Sequence, residues 1–215
     1  MHDARTEVLM SGRRLLAPAA WLTLLTLLTP AYPAMAASGA DKAQPSAVSR
    51  ELDRVQALLL LRLASLPDDS RTLILREPDS LTLRIPARLL FESDTAVLKS
   101  DAPPAAPLAA AGQVLRKYRK LQARIAAYTD SLGDVTVNQS LSDQRAQAVY
   151  DALTAQGIAA ARLQQQGAGA ADPLASNATP EGRVENRRVE IEFQRAAPPG
   201  ERAPGGFRPG PAAAP

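Results

Sequence analysis

Few side chains in this sequence can do chemistry, so the first question is which ones remain. The chain of 215 residues has no Cys and a single His, at position 2. Disulfides, thiolate nucleophiles and sulfur-bound metals are thereby excluded, histidine-based triads and metal sites nearly so, and no cofactor or metal is expected. What remains is carboxylate and guanidinium chemistry. The stretch from Asn138 to Gln156 has helical periodicity and stops at Gly157. With Val149 at the centre of its buried arc, Ser142 and Leu153 fall on one side, Ala152 and Leu141 on the other, and Arg145 lies inside the arc, about 40° from its centre. Asp143, Gln144, Gln147, Asp151 and Thr154 take the wet face. A guanidinium among apolar neighbours needs a carboxylate or comparable acceptors in exchange for its hydration. Asp130, which ends the preceding strand and opens the loop Ser131, Leu132, Gly133, Asp134, is the nearest candidate by architecture.

Two uses of Asp130 and Arg145 stay open on spacing alone. One is a partly buried ion pair that only fixes the loop. The other is an open zwitterion receptor, in which Asp130 takes a ligand ammonium and Arg145 a ligand carboxylate through a bidentate fork. A third use of the same region is enzymatic: Glu92, Asp94 and Asp130 are acids near strand ends, as a paired-carboxylate hydrolase would require. No second motif supports that pairing, and Glu92 and Asp94 read better as solvated residues of the loop after Phe91.

The elements that must position these residues follow from periodicity. Val48, Leu52, Val55, Leu59, Leu63 and Leu66 recur at intervals of three and four, which predicts a helix over Ser46 to Leu66, stopped by Pro67, Asp68 and Asp69. Leu58, Leu60 and Leu61 widen its apolar face, so the helix is expected to dock, on the following domain ahead of a second copy or a protein partner. Thr72 to Arg76 and Leu81 to Ile85 are β-rich runs joined by a polar turn. Pro104 to Lys117 reads as a helix with Leu108, Ala111, Val114 and Leu115 on one side. Arg124 to Tyr128, Leu163 to Gly167 and Val189 to Phe193 read as strands. Strands alternating with helices over residues 72–195 indicate a mixed α/β sheet with helices packed on it.

The two ends are of another kind. Arg13 and Arg14, the apolar run Leu15 to Leu28 and the triplet Ala34, Met35, Ala36 read as a signal peptide over residues 1–36, cut after Ala36. The run is about 14 residues against the ~20 of a membrane span, so an uncleaved anchor is the lesser alternative. Residues 37–71 make a tether and the amphipathic helix. Residues 196–215, with six Pro and four Gly, form a tail that cannot offset the entropy of ordering. Beyond residue 36 there are 22 basic and 20 acidic side chains, and aromatics are 4% of the chain, which is no nucleic-acid footprint.

The residues Asn138, Leu141, Ser142, Arg145, Ala146, Val149 and Leu153 spell N-x-x-L-S-x-x-R-A-x-x-V-x-x-x-L, which resembles the signature of the OmpA-like C-terminal domain, a peptidoglycan-associating module of bacterial envelopes. Leu90 and Phe91 resemble its first-strand L-F element, and Tyr128, Thr129 and Asp130 its G-[HY]-T-D turn. Gly167 to Gly169 resemble its G-x-G, Asp172, Pro173 and Asn177 its D-P-x-x-x-N, and Glu181 to Ile191 its E-G-R-x-x-N-R-R-V-E-I. The likeness covers about residues 81–193 with motifs in order. It implies a two-layer βαβαββ-type sheet, preceded here by one helix, and non-catalytic binding of the diaminopimelate of the peptidoglycan stem peptide by Asp130 and Arg145. Thr129, Asn138 and Leu141 are implied as groove residues. Ala127 departs from the family's usual Gly, and a methyl there could shift the turn carrying Asp130 and weaken binding if the position needs positive φ or close backbone approach. Arg183, Asn186, Arg187 and Arg188 match as well, but an Arg cluster before a strand reads equally as structural or solvated.

The resemblance also sorts the variants of the family. Residues 37–71 cannot supply the strands of an outer-membrane barrel. The apolar run holds no Asp or Glu of a proton-relaying stator helix. A lipoprotein would need a cysteine. The expectation is a soluble periplasmic member with no membrane span after processing, associated with the wall or outer membrane and supporting envelope integrity. An uncleaved N-terminus would make it an inner-membrane-anchored adaptor instead.

Overall fold

The structure is a computed structural model that describes residues 46–64, 66, 71–99 and 106–196. The expected signal peptide and all but the first residue of the expected tail lie outside the described residues.

Helix α1, Ala47–Leu63, is opened by Ser46, whose side chain accepts the Ser49 N–H at 3.0 Å. Leu52, Val55 and Leu59, spaced at three and four, are fully buried in the common core, so the helix is docked on its own domain. Arg76 fastens the polar side: its guanidinium donates to the Ser49 carbonyl at 3.1 Å and to the Asp53 carboxylate at 3.3 Å. The leucine row is buried only in part. Leu60 and Leu61 remain 56% and 71% exposed. Four consecutive helical residues sweep about 300° of arc, more than one docking face can cover.

Strands β1, Leu73–Arg76, and β2, Ser80–Pro86, form the expected hairpin. A single turn of helix α2, Ala87–Leu90, follows, and Phe91 then makes an isolated bridge with Leu98. Leu90 and Phe91 therefore lie after the second strand and not in the first, a correction to the element implied by the resemblance. Helix α3, Ala106–Lys117, buries Leu108, Ala111, Val114 and Leu115 as its periodicity requires. Strand β3, Leu121–Ala127, leads to helix α4, Val135–Ala155. A 3-10 turn at Ala160–Arg162 precedes β4, Leu163–Gly167. Helix α5, Pro180–Asn186, and strand β5, Arg188–Arg195, complete the domain.

The sheet has the order β1-β2-β5-β3-β4, with β3 and β4 parallel across the α4 crossover and every other pair antiparallel. Period-2 alternation sorts its faces. Leu81, Leu83, Ile85, Val189, Ile191, Phe193, Ala123 and Ile125 are buried on one side. The other side carries polar cross-strand pairs such as Arg84–Glu190 at 2.8 Å. This is a two-layer mixed α/β sheet with a helix ahead of it.

Helix α4 is locked to the end of β4. The Gly167 N–H donates to the Asp143 carboxylate at 3.0 Å, Gln139 donates to the Gly167 carbonyl at 2.9 Å, and the Gly169 N–H donates to Ser142 Oγ at 2.9 Å. A Cβ on Gly167 would stand 2.2 Å from the Asp143 nitrogen and 2.5 Å from the Ser142 carbonyl carbon, so only glycine permits this approach.

Candidate functional site

Asp130 stands just beyond β3 on a turn held from three sides. The Tyr128 N–H donates to the Arg188 carbonyl at 2.9 Å, the Thr129 N–H to the Gly169 carbonyl at 2.7 Å, and the Ser131 N–H to the Asn177 side chain at 3.2 Å. Asn138, from the first turns of α4, donates to the carbonyls of Leu132 at 2.7 Å and Asp130 at 3.3 Å. Its observed work is therefore to hold the loop. The Arg188 guanidinium stacks 3.6 Å from the Tyr128 ring centroid, and burial, followed by the Glu190 charge, pushes the Tyr128 hydroxyl up to about 12. Ala127 is fully buried in extended strand and has no positive φ, so its backbone does not need glycine's conformational freedom.

The wheel read from the sequence holds for α4: Ser142, Arg145, Ala146, Val149 and Leu153 are its buried residues, and Leu141 is half-buried. Arg145 is only 4% exposed. Its Nε donates to the Thr95 carbonyl at 2.8 Å, its guanidinium carbon lies 5.2 Å from the Phe91 ring centroid, and its Nη1 is buried with no hydrogen-bond partner. Burial pulls its pKa down, Asp94 and Asp130 oppose that, and Arg187 adds to it.

Of the two uses left open by spacing, the direct ion pair of Asp130 with Arg145 is not formed. Asp130 instead gives one carboxylate oxygen to the Leu132 N–H at 3.0 Å and the other to an ion pair with Arg187. The two sequence-derived residues share one electrostatic neighbourhood, but each has found another partner. Thr129 is buried beside Asp130 in sequence, with its Oγ1 unpartnered. A cavity of about 390 Å³ has Phe91, Glu92, Asp94, Lys99, Arg145 and Arg187 on its wall; of the expected site residues it brings in Arg145, whereas Asp130, Thr129, Asn138 and Leu141 are not among its described lining residues.

Sequence reasoning sets Arg187 among structural or solvated arginines and Asp94 among solvated loop acids. Both are in the site. Asp94 adopts φ 55° on the tight turn after Phe91, and Ser93-Asp94-Thr95, a run of turn formers, is the available signal. For Arg187 the N-R-R-V segment of the resemblance is the only pointer. Among the described residues no cluster of three or more His, Asp or Glu could hold a metal ion.

Residues 90–187 match the model of the OmpA family. The Probable lipoprotein YiaD of Escherichia coli (strain K12) is 42% identical over 118 residues, 55% of this chain and 53% of that protein. The Peptidoglycan-binding protein ArfA of Mycobacterium bovis is 52% identical over 67 residues, 31% of this chain and 21% of that protein. The chain thus spans about half the length of the first relative and about a fifth of the second. Among solved structures, the cell wall anchor of the T6SS from Pseudomonas aeruginosa superposes with a TM-score of 0.56 at 30% identity, over 64% of this chain and 97% of that one. The motif order, the mixed sheet and these likenesses agree, and the chain carries a domain of the OmpA family.

Proposed function

We propose that this domain binds peptidoglycan without cleaving it, by holding the amino-carboxylate centre of the stem peptide's diaminopimelate, and so ties the protein to the cell envelope. The observation that carries the reading is the buried Nη1 of Arg145, unpartnered in a residue on a cavity wall. A desolvated guanidinium donor without an acceptor costs about 1 to 3 kcal/mol, which a ligand that completes it would relieve. A planar carboxylate is its best complement. Asp130, within Coulombic range of Arg145, receives the ammonium carried on the same ligand carbon. Each carboxylate oxygen has two lone pairs, so Asp130 can take the ammonium while keeping Arg187 and the Leu132 N–H. Thr129 offers its unpartnered Oγ1, Asn138 fixes the loop, and Leu141 supplies an apolar flank.

The name of the ArfA relative and the wall-anchoring role of the structural neighbour support the ligand class. The hydrolase alternative is weaker because both oxygens of Asp130 are engaged by Arg187 and the Leu132 N–H and not by a second acid. The location we propose is the periplasm, at the wall or outer membrane, reached through the signal peptide of residues 1–36. No described helix is long and apolar enough to cross a membrane.

Co-sedimentation with purified sacculi tests this reading. The wild type should pellet with the sacculi and release no soluble fragments, and Arg145→Ala should stay in the supernatant while remaining folded. Equal pelleting of both proteins would contradict the diaminopimelate assignment, and fragment release would favour the hydrolase.

A further inference from the structure

Strand β1 is an edge of the sheet, and among the described residues no strand lies beyond it. Sheet edges are commonly blunted by a lysine, a proline or a bulge. Leu73–Arg76 holds no Lys or Pro, and it pairs with β2 in unbroken register. Apolar side chains flank this edge on both faces. Leu73 and Leu75, opposite Arg84 and Thr82 of β2, project away from the helices and are 47% and 37% exposed. Ile74 projects to the helix side, partly buried against the core. Leu60 is exposed on that same side: at about 100° per residue it falls between Ser49 and Asp53 around α1, and those two residues meet Arg76 of β1.

Run antiparallel against a second copy, this edge is complementary to itself. Paired residues must share a face, so positions meet whose numbers sum to an even total. With a two-fold axis at Ile74, Leu73 stands opposite Leu75 of the second copy and Arg71 opposite its Glu77. Both charged residues are exposed. Arg71 gives one N–H to Glu185 at 3.2 Å, and a guanidinium has further donors for a second carboxylate. Moving the axis to Leu75 would set Leu73 against Glu77, and moving it to Leu73 would set Arg71 against Leu75, so the residue pattern selects one register.

We propose that β1 is a homodimerisation edge: two copies of this chain pair antiparallel through Leu73–Arg76 about a two-fold axis at Ile74, joining two five-stranded sheets into one. The pairing covers Leu73 and Leu75 in cross-strand contacts on one face and brings Leu60 of each copy to the joint on the other. An ion pair between Arg71 and Glu77 closes each end.

A joint of two short strands is small and associates weakly, so sedimentation equilibrium of the full chain from about 1 μM to about 1 mM is the test. The wild type should pass from monomer to dimer as concentration rises. Leu75→Lys should weaken the dimer about tenfold or more, because both of its apolar cross-strand pairs are lost. Arg71→Glu and Glu77→Arg should each weaken it about threefold to tenfold, since two pairs turn repulsive at once, and the double variant should return to within about twofold of the wild type. That rescue is specific to the register, and it separates the intermolecular pair from the contact of Arg71 with Glu185, which the single and the double variant both lose. All three positions are exposed, so the variants should keep the wild-type Tm at concentrations where the chain is monomeric. A wild type that stays monomeric throughout overturns the proposal and leaves the edge to another segment of the chain or to a different protein. A dimer that Leu75→Lys leaves intact, or that the double charge swap fails to restore, overturns it as well.

Discussion

The two ends of β3 are each served by an arginine, and the two arginines are satisfied to opposite degrees. At the start of the strand Arg162 donates to the Leu115 carbonyl at 2.8 Å, the Tyr118 carbonyl at 3.0 Å and the Leu121 carbonyl at 2.7 Å from Nη2 and 2.9 Å from Nε. It closes the turn between α3 and β3. Beyond the other end, Arg145 has one carbonyl, one aromatic face and a buried nitrogen with nothing to bond. Burial pulls the pKa of both down. The leading cause is the same in each, loss of hydration, and it is the acceptors that set them apart. A guanidinium whose buried donors are all matched is a brace, whereas one with a buried donor left short of an acceptor is receptive.

That contrast can be broken from several sides. The largest effect should come from Gly167→Val. Its side chain would collide with backbone atoms of Ser142 and Asp143, and prising α4 from β4 should cost about 3 kcal/mol or more in denaturant unfolding. Next, Arg162→Ala strips three carbonyls of a charged donor and should cost about 2 kcal/mol, with sacculus binding by the folded protein unchanged. Asp130→Ala should cost less, about 1 kcal/mol, because the Arg187 it leaves behind is 36% exposed and water can replace the carboxylate. It should nevertheless abolish sacculus binding.

The smallest effect is a pH dependence at the start of α4. Asp134 caps the helix, and the Thr136 hydroxyl, then the Val137 and Thr136 N–H groups, hold its carboxyl below the usual range. Its contribution is complete above the ordinary aspartate value of about 4 and fades as pH falls through the lower folded-state value. Asp134→Asn should flatten that part of the stability profile, measured by thermal unfolding between pH 2 and pH 5, roughly the range in which an aspartate titrates.

Periodicity makes the inward face of α4 legible, Arg145 included, because a regular helix turns spacing directly into direction. The β1–β2 hairpin and the strand Leu163–Gly167 are legible for the same reason. The first turn of α4 is not: Val135, Thr136 and Val137 are β-branched residues, and the Asp134 cap reads as loop. Helix α5 escapes the sequence reading although Thr179 and Pro180 are a capping residue and a first-turn proline in sequence. The partners of the site are beyond local reading. Arg187 meets Asp130 across 57 residues, and the Thr95 carbonyl meets Arg145 across 50, through a sheet order that sequence spacing does not encode.

The claim that Arg145 is a receptor and not a brace is tested most directly by thermal unfolding of the wild type and Arg145→Gln, each with and without saturating meso-diaminopimelate. A ligand that binds only the folded state raises its Tm. The account predicts that diaminopimelate raises the Tm of the wild type alone, and that without ligand the variant lies within about 1 kcal/mol of the wild type, since it loses one carbonyl hydrogen bond and one aromatic contact but also removes a buried donor that had no acceptor. A variant that keeps the ligand-induced rise, or that loses stability as Arg162→Ala does, would contradict it.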